Sequence, residues 1–147
     1  MVFTIPGEPR GKQRPRVTRA GHAYTPKETT EYEEKVRDCY YMQGGRMISP
    51  LKLVKVSDSV SMTADRPLQV EIWAFLKPAE SVPKKRRELM LGNMIQPTKK
   101  PDLDNIGKII LDGLNGAAYK DDKAVTDLII HKRYDKIPRV VVEIREI

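Results

Sequence analysis

The chain has 147 residues, 27 Lys plus Arg against 20 Asp plus Glu, a net charge of +7 and a single Cys. No apolar run approaches the ~20 residues of a membrane-spanning helix. A chain of this length buries roughly two-thirds of its unfolded surface in one core, so a single domain over residues 1–147 is expected and a second is excluded.

In chain order, Val2 to Ile5 is a short β-prone run, and the Pro-, Gly- and Arg-rich stretch from Pro6 to Gly21 predicts a loop or mobile arm, basic at about residues 7–24. Met1 to Pro6 has neither a charged leader nor an apolar stretch, and Cys39 lacks an internal partner, so a cytoplasmic location is expected. Thr25-Pro26-Lys27-Glu28 predicts a helix start with Thr25 as N-cap and Glu28 closing a capping box. Tyr32, Val36 and Cys39/Tyr40 then recur at helical spacing until Gly44-Gly45. Leu51 to Val56 is compatible with an edge strand and Ser57 to Asp65 with a loop. Leu68 to Phe75 alternates as a strand does, and Pro83 to Leu91 predicts a short basic helix stopped by Gly92-Asn93. Ile106, Ile109, Ile110, Gly113 and Leu114 form one apolar stripe of a helix that starts at Asp104 and stops at Asn115-Gly116. Two strands, Ala124 to Tyr134 and Arg139 to Ile147, look like a closing hairpin through Asp135 to Pro138. The pattern is α+β: a mixed, mostly antiparallel sheet packed with two or three helices.

The charge is uneven. Pro9 to Lys27 carries +6 with no acid, Lys77 to Lys100 carries +5 with four consecutive bases at Lys84-Lys85-Arg86-Arg87, and the rest of the chain is −4. Between Pro101 and Asp127 six Asp face three Lys. Basic segments attract a polyanion, whereas clustered carboxylates repel one unless a divalent cation lies between them. That combination suits a metal-dependent enzyme acting on nucleic acid.

Asp102 and Asp104, with Asp121-Asp122 if the far end of the helix returns alongside, supply the hard oxygen donors that Mg²⁺ takes. Lys108, one turn past Asp104, projects from the same face, where it can orient a carboxylate, a phosphate oxygen or a water; an ion pair with Asp104 or Asp112 accounts for it equally. Helix capping explains Asp104 but leaves Asp102 unexplained. Asp112, about 12 Å along the helix from Asp104, is too far to share its ion and suits capping of a neighbouring segment. An EF-hand is excluded, since Ile106 and Gly113 stand where its fifth- and twelfth-position ligands belong. Cys39 reads as core, and His22 and His131 lack metal-ligand spacing. Two alternatives stay open: a PD-(D/E)xK nuclease, matched in letters by Pro101-Asp102 and Asp121-Asp122-Lys123, and a non-catalytic DNA-binding protein whose Asp residues only cap helices.

These residues resemble the RusA-type Holliday junction resolvases, small endodeoxyribonucleases of the phage and prophage branch. The likeness lies in Asp102-Leu103-Asp104-Asn105, Lys108, Asp112 and Asp121-Asp122, and in Gly7-x-Pro9-x-x-Lys12-x-Arg14-Pro15-Arg16 followed by Tyr24-Thr25-Pro26. It leaves residues 46–66 unmatched. The resemblance implies Asp102, Asp104 and Asp122 as catalytic Mg²⁺-binding carboxylates, Asp121 as a further contributor and Lys108 as the catalytic Lys. It also implies Mg²⁺, replaceable by Mn²⁺, no organic cofactor, and a homodimer cutting four-way junctions symmetrically in a bacterial cell. Lys12, Arg14, Arg16 and Arg19 on the arm, with Lys84, Lys85, Arg86, Arg87, Lys99 and Lys100, are the expected DNA contacts.

Overall fold

The computed structural model describes residues 1–52 and 63–147. Its elements in order are β1 (Val2–Pro6), β2 (Arg16–Val17), β3 (Ala23–Tyr24), α1 (Lys27–Met42), β4 (Leu51–Lys52), β5 (Thr63–Ala64), β6 (Leu68–Leu76), α2 (Lys84–Leu91), α3 (Leu103–Leu114), a 3-10 turn (Asp122–Ala124), β7 (Val125–Tyr134) and β8 (Arg139–Glu146).

The main sheet has four strands in the order β1-β8-β6-β7. β1 and β6 run antiparallel to β8, and β7 runs parallel to β6. β6 alternates without a break, burying Leu68, Val70, Ile72, Ala74 and Leu76, and β8 adds Val140, Val142 and Ile144 to the same face. The expected hairpin between the last two strands is therefore wrong. Both strands exist, but β6 lies between them, because its apolar face has two flanks to fill and each strand takes one.

α1 and α3 cover that face. Tyr32, Val36 and Tyr40 of α1 meet Ile106, Ile109, Ile110 and Leu114 of α3 in one cluster, with Phe3 edge-on to Tyr40 at 5.3 Å between ring centroids. Two glycines set how closely α3 approaches its neighbours: a Cβ on Gly113 would stand 2.8 Å from Val36 of α1, and one on Gly107 would stand 2.5 Å from Ile130 of β7. Either contact is too short for carbon atoms, so any larger residue would push the helix away.

Several sequence expectations change at element ends. α1 begins with Pro26, not Thr25, in the N-cap position, without a side-chain cap. The Glu28 carboxylate instead accepts a hydrogen bond from Gln13 on the arm at 2.9 Å. Part of the arm is also ordered, since β2 and β3 pair as a small exposed hairpin, with Gly21 (φ +83°) in the turn that links them. β4 pairs with β5, so Thr63 and Ala64 are strand and not loop; the rest of the expected strand and loop, residues 53–62, lies outside the described residues.

Candidate functional site

The N-terminal end of α3 follows the lead-in Lys99-Lys100-Pro101. Asp102, not Asp104, occupies the N-cap position, yet its carboxylate caps nothing; only its main-chain carbonyl is used, by the Ile106 N–H at 3.1 Å. Asp104 lies in the first turn. Both side chains are exposed, and among the described residues neither accepts a hydrogen bond nor forms an ion pair. The positive end of the helix dipole favours negative charge there. Lys108, also exposed, pairs with neither Asp104 nor Asp112 among the described residues.

A residue the sequence reading missed joins this end. Lys132, on β7, donates from Nζ to the Lys99 carbonyl at 2.5 Å. Burial pushes its ammonium below the ordinary lysine value, while the negative charge of Asp102 acts in the opposite direction. Thirty positions separate Lys132 from Asp102. They meet because β7 leaves the far end of α3 and runs back along it, a return that no local spacing reveals.

The C-terminal end of α3 gathers the other carboxylates. Asp112 faces Lys12 at 2.8 Å, and the same ammonium also pairs with Glu33 of α1. Burial opposes the charge on Lys12, but hydrogen bonds to Asp112 and Glu33 outweigh it and hold the ammonium above its ordinary value. Asp121 caps the 3-10 turn, accepting from the Lys123 N–H at 3.0 Å. Burial, then the charges of Asp121 and Asp112, push the Asp122 carboxyl above its ordinary value. Tyr119, buried here, donates its hydroxyl to the Leu111 carbonyl at 3.1 Å and ties down the returning turn. Asp112 thus belongs with Asp122, and its partner is the ammonium of Lys12, not a helix end.

Asp102 and Asp104 therefore stand at one end of α3 and Asp121 and Asp122 at the other, with Lys108 on the face between them. Among the described residues no group of three or more His, Cys, Asp or Glu is placed to hold a metal ion. The donor chemistry nevertheless fits a hard divalent cation. Asp102 and Asp104 have oxygens unengaged by the described fold, and Asp122 is crowded by like charge that a cation would relieve. Mg²⁺ commonly takes only one or two carboxylates, completing its shell with water and phosphate.

The arm crosses this site. The Lys12 N–H donates to the Asn105 carbonyl at 2.8 Å. At Gly11 a Cβ would come within 3.1 Å of both Pro101 and Asn105, so the chain lies tightly over the start of α3. A cleft of about 890 Å³ results, bounded by residues 8–16 of the arm and by Lys100, Pro101, Asp102 and Asn105. Arg14, Arg16 and Arg19 are exposed, as are Lys84, Lys85, Arg86, Lys99 and Lys100. Two expected DNA contacts are committed elsewhere. Lys12 is the strut between α1 and α3 just described, and Arg87 donates to the carbonyls of Ala79 and Glu80, at 3.1 and 2.9 Å, closing the loop before α2.

The family model described as Endodeoxyribonuclease RusA matches residues 6–145. An uncharacterized protein of Bacillus subtilis (strain 168), YqaN, is 31% identical over 146 residues, covering 99% of this chain and 95% of its own length. The family match takes in the arm, α3 and both groups of carboxylates.

Proposed function

The chain belongs to the RusA endodeoxyribonuclease family, and from that premise we propose that it is a Mg²⁺-dependent, structure-selective endonuclease that resolves four-way DNA junctions as a cytoplasmic homodimer. The observation that carries this reading is the arm-lined cleft ending at Asp102, where that unengaged carboxylate lies beside the exposed cations Lys100, Arg14 and Arg16. The cations attract a phosphodiester that the carboxylates alone would repel.

Asp102 and Asp104 would hold Mg²⁺ or Mn²⁺ at the N-terminal end of α3, and Asp122, with Asp121 from the turn it caps, would hold a second cation at the other end. A divalent cation bound there supplies charge neutralisation and a water of lowered pKa. The chain's own residues do the rest. Arg14, Arg16 and Arg19 grip backbone phosphates, and Lys99 and Lys100 continue that contact up to the scissile position. Lys108, unpaired among the described residues, is available to a phosphate oxygen or the attacking water. Lys132 holds the lead-in through the Lys99 carbonyl and so fixes where Asp102 stands. Two like incisions in a two-fold junction call for two identical sites on a two-fold protein.

One observation favours a second reading, a protein that binds branched DNA without cutting it: the lack, among the described residues, of a three-carboxylate group placed for a metal. A synthetic four-way junction incubated with the protein and Mg²⁺ or Mn²⁺ separates the two. Symmetric nicks are expected, lost in Asp104→Asn while junction binding survives. Binding without nicks in the parent protein would establish the second reading, and undiminished cutting by the variant would remove Asp104 from the site.

A further inference from the structure

The lead-in to Asp102 borders a second opening besides the arm-lined cleft. This pocket, of about 390 Å³, lies between α2, the chain that follows it and the end of β7, and Lys99 is part of its wall. Its floor is apolar, made by the buried Met90 with Val82, Ile95 and Tyr134, each half-buried. Its rim is polar: Arg86, Gln96, Thr98 and Lys99 are all exposed, and no acid is among the lining residues. Glu80, just before the pocket in sequence, is taken by Lys77 at 3.0 Å and by Arg87 at 3.8 Å. After α2 the chain doubles back, the Met94 and Ile95 N–H groups both donating to the Leu89 carbonyl at 2.9 and 3.2 Å, with Asn93 in the left-handed region (φ +64°). That turn orients Gln96. Its Nε2 donates to Asn93, to Oδ1 at 2.7 Å and to the carbonyl at 3.1 Å, which leaves Oε1 without a donor among the described residues. On β7, Tyr134 stands two residues past Lys132 and so on the same face, and Lys132 holds the Lys99 carbonyl. One strand thus sets both the pocket wall and the lead-in to the carboxylates.

We propose that this pocket takes one unstacked base of the DNA strand that runs past Asp102, and so holds that strand at a second point beside the cut. A base offers a flat apolar face to Tyr134, Met90 and Ile95, and once it has left its partner it offers N–H groups on its pairing edge to the unengaged Oε1 of Gln96. The phosphates flanking it meet Arg86 and Lys99. The mixture decides the occupant, since a lipid tail would leave the polar rim unused and a free phosphate would leave the apolar floor unused. Lys99 stands three residues before Asp102, so at most about 11 Å of chain separates pocket and carboxylate, about three base steps of B-DNA at 3.4 Å each. The energy cost of placing a base in such a pocket is chiefly that of unstacking and unpairing it, and is least where stacking is already interrupted, as it is at a branch point. The proposal rests on the reading above that branched DNA is the substrate.

Four-way junctions carrying a single abasic site, moved one nucleotide at a time along the strand around the branch point, test it on the full chain, with binding measured without divalent cation and nicking with Mg²⁺. At one position the abasic junction is expected to bind the parent protein about tenfold more weakly than the intact one. In Gln96→Ala and in Tyr134→Leu that difference is expected to fall below about threefold, because the protein has already lost what the base touched. Arg14→Ala with Arg16→Ala, outside the pocket, is expected to weaken both junctions and keep the difference. Gln96 is exposed, so its replacement is expected to leave the thermal melt unchanged and carries the comparison even if Tyr134→Leu loosens the fold. The absence of any position with more than about a twofold difference, or a difference undiminished in both variants, overturns the pocket. Nicking keeps the two readings apart: nicks without an abasic effect on binding remove the pocket and leave the nuclease, whereas an abasic effect that Gln96→Ala abolishes, in a protein that never nicks, does the reverse.

Discussion

At the N-terminal end of α3, Asp102 and Asp104 accept nothing from the described fold, whereas at the C-terminal end Asp112 is bound to Lys12 and Asp121 caps a turn. The same residue type, on one helix, is free at one end and engaged at the other. The cations divide likewise, with Arg14 and Arg16 exposed on the arm while Lys12 and Arg87 serve the fold. Charge already neutralised within a fold is unavailable to a ligand, so the net charge of a segment overstates what it can offer a substrate. Of the unengaged charges, Asp102, Lys100, Arg14 and Arg16 line one cleft.

The sharpest way to break this division is to remove a carboxylate from each end. Asp102→Asn is expected to slow single-turnover junction cutting by about a thousandfold, ~4 kcal/mol of barrier, and Asp112→Asn by less than about tenfold. Equal losses would mean that both ends serve the chemistry alike. For the cations, Arg14→Ala with Arg16→Ala is expected to lower the slope of log binding constant against log salt by about two, and Lys12→Ala or Arg87→Ala to leave it nearly unchanged. An equal drop in all of them would show that commitment within the fold does not limit DNA contact.

Smaller effects concern stability. Asp112→Ala leaves Lys12 with Glu33 alone and is expected to cost about 1 kcal/mol in urea unfolding, with faster tryptic cleavage in the arm; Asp104→Ala should fall within about 0.5 kcal/mol of the parent. Asp122 should show the smallest change, with a definite sign. Its folded carboxyl is held above the ordinary value by burial and by Asp121 and Asp112, so its ionisation weakens the fold as pH rises through that folded value. Asp122→Asn is therefore expected to raise the melting temperature at neutral pH without divalent cation, and the gain should vanish at pH values where the parent carboxyl is protonated. A gain that persists in acid would assign the effect to something other than charge.

Much of the fold was legible because it is written in local periods. The alternation in β6 and the 3.6-residue stripe of α3 each predicted a real element, and the basic helix from Pro83 lies within a residue of α2. Errors gathered where two distant segments compete for one surface. Pro26, not Thr25, holds the N-cap position, and Glu28 accepts from Gln13 of the arm where a capping box would have it reach back to the helix start. The closing hairpin failed because adjacency in sequence does not outweigh the two open flanks of β6. Lys132 went unnoticed because nothing near it in sequence mentions Asp102.

The sequence by itself determined the α+β class, the family, the basic arm and the Asp residues proposed to hold the metal, since each depends on residue type and short spacing. Only the tertiary structure decided which of those charges are unengaged among the described residues, that Asp112 and Asp122 share one end of α3, and that Lys132 reaches the other. Those outcomes depend on which chain segments meet across the core, and such meetings are set by packing and strand order over separations that local pattern does not span.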